Sequence, residues 1–363
     1  MATNYPFKNL VLQGGGVKAF AYHGVMEVLE EEGILPQIER LGGSSAGAQL
    51  ATLLSFRLPW AETLRLFRTC DFTKLANAPV TPNPDWTPRI VDQNLIKLKG
   101  GIGAVNRLIK KFGWYSSGYA HRWVTEVIAG QCDGNGRATF ADFRARGFRD
   151  LHIVVTNLSK RKAVDFSADT TPDVAVADAA LMSGLIPLYF EAVQFDGQKF
   201  GAGDYFADGG VMANYPLHLF DRPAYQDGNR WFFTGINWET LGCRLETPAD
   251  CPNINRSIRN VRDYIEAIFD ATLESQAMAY RTGQAEQQRT INVCNCCVNA
   301  TDFHIKPEDD DEKYRELVAS GRDAARKFLE GYRPPVDPRL AVILRPKLVL
   351  ERIKDVFERP RKW

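Results

Sequence analysis

Asn9-Leu-Val-Leu-Gln-Gly-Gly-Gly-Val-Lys-Ala-Phe-Ala-Tyr-His-Gly24 and, after it, Leu41-Gly-Gly-Ser-Ser-Ala-Gly47 decide the fold. Leu10 to Leu12 form an apolar run that ends in three glycines. Apolar residues then return at helical spacing at Phe20, Val25, Val28 and Leu29. This is the pattern of a strand, a glycine turn and a helix. Glycines at such a turn admit a second backbone or a substrate, and the opening helix points free N–H groups at any anion there. Gly33 ends the helical pattern, and a second strand runs into Gly43-Ser-Ser-Ala-Gly47. The spacing Gly-x-Ser-x-Gly predicts Ser45 on a tight strand-to-helix bend, flanked by Gly43 and Gly47 because side chains there would clash. The two stretches together describe a serine nucleophile facing an oxyanion-binding glycine loop.

Composition sets the frame around this centre. With 363 residues, 45% of them hydrophobic, the chain can bury the core of one large α/β domain. A formal net charge of +1 gives no reason to expect nucleic acid as a partner. No apolar run reaches the length of a membrane span, and Met1 to Lys8 lacks the regions of a secretory leader. Seven cysteines, an odd count without framework spacing, read as reduced thiols in a cytoplasm.

Along the chain, a helix follows Ser45 through Gln49, Leu50, Leu53 and Leu54 until Pro59, and Ala61 to Arg68 forms the next. Asn77 to Pro88 is proline-rich and reads as an irregular loop, a lid or a plain surface excursion. Ile102 to Phe112 and Gly118 to Ile128 are expected helices. Leu151 to Leu158 is a nearly continuous apolar strand of the kind buried on both faces of a parallel sheet. Further strands are expected at Val193, Arg230 to Thr234 and Ile291 to Val293. Ile254, Ile258, Val261, Ile265, Ile268 and Phe269 trace one face of a long helix, and Glu312 to Leu329 forms another, closed by Gly331.

The third chemical signal is Asp208-Gly209-Gly210, followed by Val211-Met-Ala-Asn-Tyr-Pro216. Alone, Asp-Gly-Gly is a turn. Beside a serine on an elbow it supplies what that serine needs: a carboxylate base on a turn free of obstructing side chains.

These three motifs, in this order, resemble the patatin-like phospholipase family from about Phe7 to Pro216. The resemblance implies a three-layer α/β/α sandwich with a mainly parallel central sheet, forming one domain over residues 1–340. It implies lipid acyl hydrolysis, of phospholipase A or lysophospholipase type, by a Ser–Asp dyad without metal or cofactor. Ser45 resembles the nucleophile and Asp208 the base. Gly14, Gly15 and Gly16 resemble the oxyanion loop, Ala46 a further N–H donor, and Lys18 the usual basic residue, which could equally be a solvated helix residue. The family loop usually ends in glycine; here Ala19 stands there, so positive φ at that position is not expected. A bulky residue at Gly16 is expected to stop catalysis with little loss of stability.

Other features take plainer readings. His23 is expected to be packed or at the surface. Cys294-Asn-Cys-Cys297 with His304 fits no standard zinc spacing and reads as core thiols. Residues 341–363 hold a basic amphipathic stretch, Leu348 to Arg359. It suits docking on its own domain or on a second subunit of a homo-oligomer, or peripheral contact with an anionic membrane. Two other function classes are open. Gly14-x-Gly16-x-x-Ala19 with Glu39 also fits a dinucleotide fingerprint. A thioesterase or Ser-His-Asp esterase would use His218 or His304.

Overall fold

Leu10 and Leu12 enter the larger of two apolar cores, and Val11 between them joins a smaller one with Val154, Tyr215, Leu217, Leu219 and Phe220. This division with period two marks a strand buried on both faces. The structure, a computed structural model, describes residues 5–75, 110–251, 257–258, 261–281 and 283–338. The expected loop Asn77–Pro88, nearly all of the helix at 102–112, Ile254 and the basic tail lie outside the described residues.

The strands are β1 (Asn9–Leu12), β2 (Arg40–Ser44), β3 (Gly113–Tyr115), β4 (Asp150–Asn157), β5 (Lys162–Phe166), β6 (Leu188–Phe190), β7 (Val193–Phe195), β8 (Asp204–Ala207), β9 (Phe232–Phe233), β10 (Ile236–Asn237), β11 (Thr240–Glu246) and β12 (Thr290–Cys294). The central sheet runs β12-β11-β1-β2-β4-β8-β7, with β5 also paired to β4. From β12 to β4 it is parallel; β5, β8 and β7 are antiparallel additions. Helices lie on both sides. Ala21–Glu31 and Glu312–Gly331 share the core with Leu10 and Leu12, and a turn of helix at Leu217–Phe220 covers Val11. Gly24 and Gly321 let the two long helices touch: a Cβ on Gly24 would stand 1.9 Å from the Val318 carbonyl oxygen, and one on Gly321 1.9 Å from that of Ala21.

Three expectations change. The strand expected at Arg230–Thr234 is only the two-residue β9 of a small hairpin; the sheet strand is β11, beginning at Thr240. Gly242 breaks the apolar pattern of β11 because the Tyr215 hydroxyl packs where its side chain would be, 1.8 Å from an ideal Cβ. β4 is parallel only to β2 and antiparallel to both β5 and β8. The long helix spans Val261–Arg281. It buries Ile265, Phe269 and Leu273, whereas Ile258 and Ile268 are exposed. Among the described residues no helix is long and apolar enough to cross a membrane.

Candidate active site

Ser45 sits between β2 and the helix Ala46–Ser55 with φ 53° and ψ −128°, a conformation a non-glycine residue holds only when its surroundings enforce it. The flanking glycines make the bend possible. A Cβ on Gly43 would lie 2.6 Å from the Gly47 carbonyl carbon, and one on Gly47 2.3 Å from the Leu12 carbonyl oxygen. The Ser45 N–H donates to Ser183 Oγ at 2.9 Å, and the Ser183 hydroxyl donates to the Val154 carbonyl at 2.7 Å. The bend is thereby tied to β4.

The register of β4 explains why Asp208 meets this serine. β5 pairs with β4 continuously from Ile153 to Asn157, so it fills one edge. On the other edge β2 runs parallel up to Ser44 opposite Val154, and β8 runs antiparallel down to Ala207 opposite Thr156. Two strand ends therefore point at one another across Val155, one continuing into Ser45 and the other into Asp208. The Ser45 Oγ–H donates to Asp208 Oδ2 at 2.7 Å, and Asp208 Oδ1 accepts the Gly210 N–H at 2.7 Å. Asp208 is fully buried. Burial pushes its carboxyl up to about 7, against the downward pull of the bonds from Ser45 and Gly210. Gly209 is required by contact: a Cβ there would stand 2.2 Å from the Val154 carbonyl oxygen.

The glycine loop faces the same point. A Cβ on Gly14 would lie 2.8 Å from Ser45 Cβ. The Gly14 N–H is occupied, donating to the Asn214 carbonyl at 3.0 Å, so Gly14 supplies clearance and no oxyanion donor. The N–H groups of Gly15, Gly16 and Ala46 have no acceptor among the described residues. Gly16 has φ 56°, and a Cβ there would stand 2.0 Å from the Ala300 carbonyl oxygen, which also accepts the Val17 N–H at 3.1 Å. A bulky residue at Gly16 therefore damages the fold as well as the loop, contrary to the sequence expectation. Ala19 sits inside a short helical turn, and the positive φ falls on Gly16. Lys18 is half-buried, lies outside the cavity wall described next and has no ionic partner among the described residues.

Beside Ser45 opens a cavity of about 930 Å³ including its mouth. Phe20, Phe67, Phe72, Trp123, Leu181 and Phe303 form much of its wall, and no described acidic, Lys or Arg side chain lines it. His23 lines it and is kept neutral, its ring pushed down to about 3 by burial and by the charge of Arg68. His23 is thus packed, as expected.

Two residues escaped the sequence reading. Asn214 lies six positions after Asp208 in the stretch that was read, and its side chain donates to the Gly14 carbonyl at 3.2 Å. Ser183 is a lone hydroxyl in the small apolar run Ala175–Leu185, and that polarity was its only signal.

The alternatives find no support in this geometry. Glu39 precedes β2, and its N–H donates to the Lys8 carbonyl at 2.7 Å, so it sits at the opposite end of the parallel strands from the glycine loop. His218 is bound to Asp221 at 2.8 Å and faces Arg289 and Glu286, and neither it nor His304 lines the Ser45 cavity. The cysteine reading needs correction. Cys297 forms a disulfide with Cys251, which the 46-residue separation concealed, while Cys294 and Cys296 are half-buried free thiols.

A serine on a strand-to-helix bend, a buried carboxylate against it and free N–H groups opposite define a hydrolase-type site on an α/β sheet. The family model described as patatin-like phospholipase matches residues 10–221, more than half of the chain, and the chain belongs to that family. Its broad class is therefore lipid acyl hydrolase. The chain is 26% identical over 323 residues to the uncharacterized protein YqhO of Bacillus subtilis, covering 88% of this chain and 97% of that one. It is also 26% identical over 81 residues to the probable lipid hydrolase 463L of Invertebrate iridescent virus 6, covering 22% of this chain and 26% of that one. The crystal structure of VipD from Legionella pneumophila shares the fold, with a TM-score of 0.52 and 19% identity over 90% of this chain and 67% of that one.

Proposed function

We propose that this protein cleaves fatty-acyl esters of phospholipids or lysophospholipids through an acyl-enzyme on Ser45, with Asp208 as the base. The observation that carries the reading is the 2.7 Å bond from Ser45 Oγ to the buried Asp208 carboxylate, set at the wall of an apolar cavity. Asp208 takes the Ser45 proton as Oγ attacks the ester carbonyl, and a carboxyl raised to about 7 is matched to that task near neutral pH. The N–H groups of Gly15, Gly16 and Ala46 receive the developing oxyanion, each such donor being worth roughly 10²–10³ in rate. Asp208 returns the proton to the leaving alcohol, then activates the water that releases the fatty acid. The uncharged cavity suits an acyl chain, because burying CH₂ groups yields about 0.8 kcal/mol each. Such lipids reside in bilayers, so the reading includes peripheral contact of the cavity mouth with a membrane surface. Mass spectrometry of the products from a mixed lipid extract tests it. Release of free fatty acid with matching lysophospholipid or glycerophospho-alcohol is the expected result; an extract left unchanged by folded protein would oppose it.

A further inference from the structure

Leu188 stands between Ile186 and Phe190, which both line the cavity beside Ser45, yet it is itself 42% exposed. Strand register places it opposite Gly113 on β3, and the residue before Gly113, Phe112, is 49% exposed. The Phe112 ring meets the Tyr205 ring edge-on at 5.9 Å, and the Tyr205 carbonyl accepts the Leu158 N–H at 2.9 Å. Leu158, 41% exposed, opens the turn between β4 and β5. These large apolar side chains are thus linked into one exposed strip that begins at the cavity wall. Single exposed apolar residues need no explanation, but a contiguous strip marks a contact surface. Phe112 and Leu188 hold φ of 56° and 65°, a conformation bulky side chains rarely adopt, so the backbone presents them to solvent at a cost.

The strip lies at the Ser45 end of the sheet. β4 runs alongside β2 with Val154 opposite Ser44, then continues to Asn157 before it turns. That turn, Leu158-Ser-Lys-Arg-Lys162, is basic and exposed throughout, and Lys110 and Lys111 immediately precede Phe112. Lys111 pairs with Glu191 and Lys160 with Asp204, whereas Lys110, Arg161 and Lys162 form no ion pair among the described residues. A bilayer carrying negative lipid matches both features at once: headgroups meet the cations, and the acyl region takes the apolar tips.

We propose that Leu158, Phe112 and Leu188, with Lys110, Arg161 and Lys162, form a docking face for anionic bilayers that seats the cavity mouth on its substrate. The proposal rests on the acyl-hydrolase reading above and names the kind of surface on which that site works.

The test uses the full chain, residues 341–363 included, and flotation with vesicles of phosphatidylcholine alone or in equimolar mixture with phosphatidylserine. Turnover of resorufin butyrate, a soluble ester that needs no bilayer, is measured on the same samples. Binding is expected to be about tenfold or more tighter on the mixed vesicles and to weaken with added salt. Lys110→Gln/Arg161→Gln/Lys162→Gln is expected to lose about tenfold or more of that affinity. Leu158→Asn/Leu188→Asn, in which asparagine tolerates the left-handed backbone, is expected to lose a similar share. Both variants should turn over resorufin butyrate within a few-fold of the natural protein; one that does not is misfolded, and the other then decides. Equal binding to both vesicle types overturns the proposal, as does full affinity for mixed vesicles in either folded variant. Turnover of resorufin butyrate by a natural protein that floats with neither vesicle also overturns it, while leaving the hydrolase reading intact. Flotation with mixed vesicles but no turnover of any ester sinks the hydrolase reading and this proposal with it, a pattern distinct from the others.

Discussion

Gly14 and Asn214 hold one another by two hydrogen bonds, the Gly14 N–H to the Asn214 carbonyl at 3.0 Å and the Asn214 side-chain amide to the Gly14 carbonyl at 3.2 Å. Gln276 extends the link. Its side chain accepts the Asn214 N–H at 2.9 Å and donates to the Gly210 carbonyl at 2.7 Å. The glycine loop after β1 and the Asp208 turn after β8 are thus one body, although some 200 residues separate them. The position of the N–H groups relative to Ser45 depends on that latch.

Asn214→Ala should therefore lower kcat by about 10–100-fold with KM little changed, because positioning of donors counts most in the transition state. The lost bonds should also lower the thermal midpoint by a few degrees. Steady-state kinetics on a fatty-acyl ester give the answer. A normal kcat in the folded variant would remove Asn214 from the account.

Asp208 gives a prediction with opposite signs for activity and stability. As a base it acts only when ionised, so kcat/KM should rise as pH increases through about 7. The folded state holds this proton more tightly than the unfolded chain, whose carboxyl keeps the ordinary value of 3.8. Stability contributed by the buried neutral acid is thus present at low pH and lost as pH rises from 3.8 toward about 7. Asp208→Asn keeps the shape without the charge. It should be nearly inactive at all pH values yet melt higher than the natural protein at alkaline pH. A variant that melts lower above neutral pH, or a rate independent of pH, would contradict the assignment.

Histidine should be dispensable for the proton transfers. His218 is engaged by Asp221, and His304 lies on the surface. His218→Ala and His304→Ala should each keep kcat/KM within a few-fold of the natural protein. Loss comparable to that of Asp208→Asn in either variant would mean a triad.

Adjacent glycines should respond differently to alanine. At Gly16 an added Cβ meets the Ala300 backbone and φ is positive, so Gly16→Ala should unfold several degrees earlier. At Gly15 φ is 178°, outside the left-handed region, and the one close contact of the added Cβ is with the movable end of Leu245. Gly15→Ala should keep its melting temperature within a degree or two. Differential scanning calorimetry of the pair decides this, and equal destabilisation would contradict the packing described here.

Much of this site was legible because its parts are local. A Gly-x-Ser-x-Gly bend and an Asp-Gly-Gly turn carry their own steric requirements, so Ser45 and Asp208 could be read from neighbours along the chain. What escaped depends on contacts distant in sequence. β11 does not read as a strand because Gly242 makes room for Tyr215, and Ser183 matters only because β2 and β4 converge beside it. The occupation of the Gly14 N–H by Asn214 and the pairing of Cys251 with Cys297 are facts of the same kind. Periodicity also began the long helix too early: Ile258 lies before Val261, where the helix starts, and the exposed Ile268 continued the apolar pattern onto the solvent side.

The central claim is that Ser45 is the nucleophile, and covalent labelling tests it most directly. The natural protein and Ser45→Ala would be treated with a fluorophosphonate, digested and mapped by mass spectrometry, with ester hydrolysis measured on the same samples. The account predicts an adduct on Ser45 alone, no adduct in Ser45→Ala, and a fall in turnover of ~10⁴-fold or more with the fold intact. Full hydrolysis by folded Ser45→Ala, or a stoichiometric adduct on another residue, would contradict it.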